Sequence, residues 1–174
     1  MTEAEAWLAQ TASDFAAAQN VLVAGDPSTY CQSIAKCQQV VEKSVNVIDA
    51  VLREQGILQG RVKAEHYPLK MINRLVRIPA RQYQDLSANM RRIFIVRWGA
   101  DIHDLCLFAP KLPPAGQRYP QNTEYPYQND DLTWTAPSAP ESFSLAQVQR
   151  STTTARNLRR EAQEISTAAR LNKL

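Results

Sequence analysis

The sequence predicts an all-α protein, an antiparallel up-and-down bundle of four to five helices with one long loop before the last helix. Three observations predict it. From Tyr30 to Glu54, apolar or small residues recur at Tyr30, Ile34, Cys37, Val41, Ser44, Ile48 and Val51. Alternating steps of four and three keep one side chain per turn on a single face, and three heptads of it make a long helix with a continuous seam. Segments at the two ends of the chain carry the same period. The break between the first two helices is only Gly25-Asp26-Pro27-Ser28-Thr29, and a turn this short reverses the chain.

The elements follow in order. Glu3 to Ala24 reads as the first helix, with Ala4, Leu8, Ala12, Phe15, Ala18 and Leu22 as its apolar stripe and small alanines that allow close approach. Gly25 suits the left-handed residue that ends a helix, and Asp26-Pro27-Ser28 supplies a tight turn with capping oxygens. The second helix stops near Gln55 and Gly56. After a loop over 57–65, Pro68 opens a short third helix edged by Leu69, Ile72 and Val76. Pro79 closes it, because the residue before a proline is pushed out of the helical region.

A longer helix is expected from about Arg81 to Leu107, with Tyr83, Leu86, Met90, Ile93, Val96, Ala100, His103 and Leu107 on its stripe. Ile93-Phe94-Ile95-Val96 is apolar all round, so the middle of this helix is expected to be deeply buried; a short buried strand is the weaker alternative. Residues 108–142 hold Pro110, Pro113, Pro114, Pro120, Pro126, Pro137 and Pro140, which exclude a regular helix. Loops this long are usually functional or partly disordered. Ser144 caps the final helix with Gln147 as its capping-box partner, and Leu145, Val148, Ala155, Leu158, Ala162, Ile165 and Ala169 line its inner face.

At 174 residues the chain fits one domain, 1–174, able to bury a substantial core. It has no apolar run long enough to cross a membrane, and its acidic N-terminus lacks the features of a secretory signal. Cys31, Cys37 and Cys106 read as reduced, buried thiols of a cytoplasmic protein. The net charge of +3 hides segregation: residues 1–60 sum to −4, 61–97 to +7, 98–142 to −4 and 143–174 to +4. Basic helices packed beside acidic ones account for this pattern. If instead the basic blocks share a face, a polyanion is the natural partner.

Gln38-Gln39-Val40-Val41-Glu42-Lys43 resembles the second-helix signature of the HEPN family of small helical bundles. The order of further elements is similar too. Trp7-Leu8 through Asp14-Phe15 to Val21-Leu22 resembles the first helix. His103-Asp104-Leu105 resembles the His-Asp-Leu element, with His66-x-x-Leu69 a competing match. Arg118-Tyr119-Pro120 and Ser142-Phe143-Ser144 resemble the approach to the last helix. The resemblance spans about residues 5–165 and implies an antiparallel bundle that dimerises with itself. It also implies binding of nucleotide or RNA, and in some members metal-independent ribonuclease activity or pairing with a nucleotidyltransferase in toxin–antitoxin systems.

The family's ribonucleases carry an Arg followed by four to six residues and a His. Arg97-Trp98-Gly99-Ala100-Asp101-Ile102-His103 is a literal match, which makes Arg97 and His103 the candidate catalytic pair. Histidine titrates near neutrality and suits proton transfer; arginine can hold phosphate oxygens and the charge that develops on them. On a straight helix the two Cα atoms lie roughly 9 Å apart along the axis and about 120° apart around it, so a break at Gly99 or a second protomer is needed to join them. The competing role for His103, placed on the apolar stripe, is a hydrogen-bonded core histidine. Arg91 and Arg92 are candidates for phosphate contact. Arg118 and Tyr119 are either phosphate contacts or anchors that tie the long loop down; Tyr125 and Tyr127 either stack bases or pack the loop. No glycine-rich phosphate cradle, zinc spacing or Gly-x-Ser-x-Gly element is present, so no cofactor and no metal is expected.

Overall fold

The computed structural model describes residues 1–60, 68–110, 117–171 and 174, and the fold is mostly helical. The elements are α1 (Glu3–Ala24), α2 (Tyr30–Glu54), α3 (Leu69–Leu75), α4 (Gln84–Arg91), a π-helical segment (Arg92–Arg97), α5 (Gly99–Leu107), strands β1 (Tyr127–Gln128) and β2 (Trp134–Thr135), and α6 (Leu145–Arg170). Thr2 and Ser144 each close a capping box at the start of α1 and α6. Gly25 ends α1 at φ +70°, a conformation that favours glycine.

α1, α2 and α6 pack on one another. Ala4 meets Glu54, Asp14 meets Lys43 and Ala18 meets Ser33, so α2 runs opposite to α1. Arg170 meets Glu5, and Arg156 and Arg159 lie over the Phe15 ring, so α6 also runs opposite to α1. All seven positions of the α2 seam are buried. Its C-terminal half goes further than the seam predicted: every residue from Val45 to Leu52 is buried, which makes this stretch the central rod of the core.

The helix expected over 81–107 is not continuous. α4 gives way to the π-helical segment, where the Trp98 amide donates to the Ile93 carbonyl five residues back (3.0 Å). One extra residue in a turn rotates everything after it by about 100°. Up to the first turn of the π segment the buried stripe is Leu86, Met90 and Ile93, as expected, with Ser87 beside it; after the segment the buried residues are Ile102, Leu105 and Cys106. The expected stripe therefore fails beyond Ile93: Val96 is 80% exposed and Leu107 55%, and Ala100 and His103 face solvent. The deep burial expected for Ile93–Val96 holds for Ile93 and Phe94 and fails for Ile95, 60% exposed.

Gly99 restarts the helix where no side chain fits: a Cβ there would lie 2.7 Å from the Phe94 carbonyl oxygen. Glycine-to-alanine inside a helix ordinarily gains up to about 1 kcal/mol. Here Gly99→Ala is expected to lose about 1–2 kcal/mol in urea unfolding, because backbone must move to admit the methyl group.

The proline-rich loop contains a small antiparallel ribbon that the sequence reading did not anticipate, with Tyr127 opposite Thr135 and Gln128 opposite Trp134. Its tip is held by the Asn129 amide to the Thr133 carbonyl (2.9 Å) and by Asp131, which accepts from the Thr133 amide and hydroxyl. Leu132 sits in that tip at φ +67° and is 66% exposed. For a leucine this conformation costs roughly 1–2 kcal/mol.

Candidate functional site

The π-helical segment and α5 carry the candidate catalytic pair. Arg97 donates to the Glu161 carboxylate of α6 (3.0 Å), and Arg92 approaches the other oxygen of the same group (3.6 Å) while bonding Asn89 on its own helix (2.6 Å). Glu161 is buried, whereas both guanidiniums are about half exposed. One buried carboxylate thus fixes two cationic side chains at the surface. Arg91 beside them is exposed, and among the described residues no carboxylate pairs with it. Ile95 and Val96 stand exposed within the same segment.

His103 lies in solvent, its Nδ1 3.9 Å from the Asp104 carboxylate. It is not the buried core histidine that the stripe implied; the π turn moved it off the inner face. Asp101 and Asp104 point to α6, where Arg150 bridges both at 2.7 and 3.1 Å. Arg97 also reaches α6, whereas His103 is largely exposed and approaches only its neighbour Asp104 among the ion pairs of the described residues. The two residues share no hydrogen bond or ion pair: Arg97 is held by Glu161 and His103 lies beside Asp104.

Arg118 and Tyr119 lie elsewhere. Arg118 donates to the Asn129 carbonyl (3.2 Å) and the Asp130 carboxylate (2.7 Å), and the Tyr119 carbonyl accepts from Gln128 (3.0 Å). The Tyr119 ring rests against Trp134, centroids 5.3 Å apart. Both residues brace the ribbon from within the long loop, and these partners lie in that loop rather than in a helix of the bundle. Tyr127 is buried under it and Tyr125 is 47% exposed. His66 lies outside the described residues.

The Gln-Gln-x-x-Glu-Lys segment ties α2 to its neighbours. Gln38 donates to the Leu105 carbonyl of α5 (2.9 Å) and accepts from Thr123 in the long loop (3.3 Å). Lys43 pairs with Asp14 of α1, and Lys36 joins the same carboxylate at 3.3 Å. Gln38, Gln39, Glu42, Glu124 and Tyr125 line a cavity of about 410 Å³ between α2 and the loop.

Much of the charge segregation cancels internally. Asp49 takes Arg53 and Arg74, Glu161 takes Arg92 and Arg97, Asp101 and Asp104 take Arg150, and Glu5 takes Arg170. Sequence reasoning missed the buried acids. Their signal was phase: Asp14 falls beside Phe15, Asp49 beside Ile48 and Glu161 beside Ala162, each a charge set among core positions.

Cysteine chemistry finds no support. All three thiols are buried and none is in a disulfide, and burial pushes Cys37 and Cys106 up to about 11, the nearby Glu42 charge adding to the rise at Cys106. Such thiols stay protonated at neutral pH. Among the described residues no three His, Cys, Asp or Glu side chains are grouped to hold a metal ion, and no helix is long and apolar enough to cross a membrane. Comparison with family models, curated proteins and solved structures returned no match.

Proposed function

We propose that this chain is a cytoplasmic HEPN-like protein, an antiparallel up-and-down helical bundle that binds nucleotide or RNA. The carrying observation is the π turn. π turns inside helices occur frequently at functional sites, and this one sets Arg91, Arg92 and Arg97 at the surface and His103 in solvent. The arginines exceed the single carboxylate that serves them, so the segment offers phosphate groups charge and fixed hydrogen-bond donors. Metal-independent cleavage of RNA, if the chain performs it, takes Arg97 and His103 from different protomers of a homodimer, because one chain keeps them apart. A nucleotidyltransferase is the partner that the family resemblance implies.

Fluorescence anisotropy with a single-stranded oligoribonucleotide tests this reading. Affinity is expected to fall steeply from 50 to 200 mM salt. Arg91→Ala/Arg92→Ala, which leaves Arg97 on Glu161, is expected to weaken binding at least tenfold and to reduce the salt slope by about 2. Binding that ignores both salt and the double variant overturns the reading. For cleavage, His103→Ala is expected to abolish activity while shifting stability by less than about 0.5 kcal/mol, as befits an exposed side chain.

The second reading is a non-catalytic interaction or dimerisation module. Ile95 and Val96 favour it: two large apolar side chains lie open to water in the middle of a helix.

A further inference from the structure

We propose that the tip of the β1–β2 ribbon is a docking element whose occupant is the π-helical segment of a second copy of this chain. This rests on the interaction reading of that segment.

The ribbon displays two large apolar side chains to solvent, Leu132 at its tip and Trp134 in β2, the latter resting with one side on Tyr119. Trp134 is 57% exposed and Leu132 66%. Leu132 occupies a left-handed position that glycine or asparagine takes without strain, and its side chain gains no burial in return. Strain of this kind concentrates at clamps and binding sites. The tip is also preorganised. Asn129 bonds Thr133 and Thr135, Asp131 bonds Thr133, and Arg118 holds Asn129 and Asp130. A rigid tryptophan is the side chain most often found carrying the energy of an interface.

Charge selects the occupant. Residues 117–142 hold one arginine against Glu124, Asp130, Asp131 and Glu141, a net of −3. Asp130 is 98% exposed although it pairs with Arg118. A polyanion is repelled by such a lobe. Its complement is a surface both basic and apolar, and the chain carries one: Ile95 and Val96 exposed, with Arg91, Arg92 and Arg97 around them. Each copy carries both patches, so a two-fold pair satisfies both contacts at once and closes. In this arrangement the acidic lobe occupies the arginines that RNA would otherwise meet, so self-association competes with polyanion binding and this pairing is distinct from one that would share Arg97 and His103 across protomers.

Sedimentation velocity from 1 to 200 μM tests the docking. The wild type is expected to show a reversible monomer–dimer equilibrium. Leu132→Gly and Trp134→Ala are each expected to weaken it at least tenfold, as are Ile95→Ser/Val96→Ser and Arg91→Glu. Leu132→Gly is the decisive variant, because relief of the left-handed leucine keeps the melting temperature level or raises it while association falls. A wild type that stays monomeric, or a dimer indifferent to either the ribbon or the π-segment variants, overturns the proposal. Oligoribonucleotide binding by Leu132→Gly separates the two readings. RNA binding retained without wild-type self-association removes the docking alone, and self-association without RNA binding removes the nucleic-acid reading alone.

Discussion

Replacing Ile48 by alanine is expected to remove about 3–4 kcal/mol of stability. Ile48 is fully buried in the stretch of α2 where all eight residues from Val45 to Leu52 are inside. A cavity cut there has α2's own backbone on one side and packed helices on the others, so little can move in to refill it. Truncations of this type cost 2–5 kcal/mol, and sites that collapse poorly lie toward the upper end. For a domain of this size the melting temperature is expected to drop by about 10 °C. Val96→Ala removes a comparable amount of side chain from the π segment, yet Val96 is 80% exposed and its loss is expected to stay within about 0.5 kcal/mol. Urea unfolding of the two variants reads the contrast. Equal losses would place Val96 in the core and undo the account of the π turn.

That contrast marks where sequence and structure part. The α2 seam was legible because burial there follows one uninterrupted period, and the end of α1 and the start of α6 were legible because Gly25 and Ser144 act locally; the Thr2 capping box was not read. The π turn was not. Extended along the chain, the period of Leu86, Met90 and Ile93 ran through Val96, Ala100 and His103, and nothing in the residue types announces one extra residue per turn. Gly99 was the one clue. Its need lies in a contact with the Phe94 carbonyl that only the folded backbone reveals. The ribbon was hidden for a related reason: two residues per strand are too few to set up an alternation, and Pro120, Pro126 and Pro137 dominate the local reading. Arg97 and His103 were legible as a spacing, and the separation that a straight helix gives that spacing was legible too; what the sequence hid was the exposure of His103, which follows from the same rotation.

The buried acids give the second large effect. Asp14→Ala is expected to cost about 2–3 kcal/mol at neutral pH. Asp14 is nearly inaccessible, and Lys43, whose side chain is 18% exposed, has this carboxylate as its ion-pair partner. Removing the acid leaves a lysine charge short of both water and a counter-ion. That penalty exceeds the net worth of the pair itself; Lys36, more open, recovers part of its hydration. Asp14→Leu/Lys43→Met removes both charges together and is expected to restore most of the loss. The pH dependence has a definite sign. Burial acts to raise the Asp14 pKa, but the hydrogen bonds and charges of Lys43 and Lys36 outweigh it, so the folded value lies below the ordinary 3.8. A depressed carboxylate stabilises the fold fully above its unfolded pKa, and that contribution is lost as pH falls through the folded value. The gap in unfolding free energy between wild type and Asp14→Asn is therefore expected to be constant from about pH 5 to 7 and to close below about pH 4. A gap that persists unchanged at pH 2.5 would show that packing, not the Asp14 charge, joins α1 to α2 at this level.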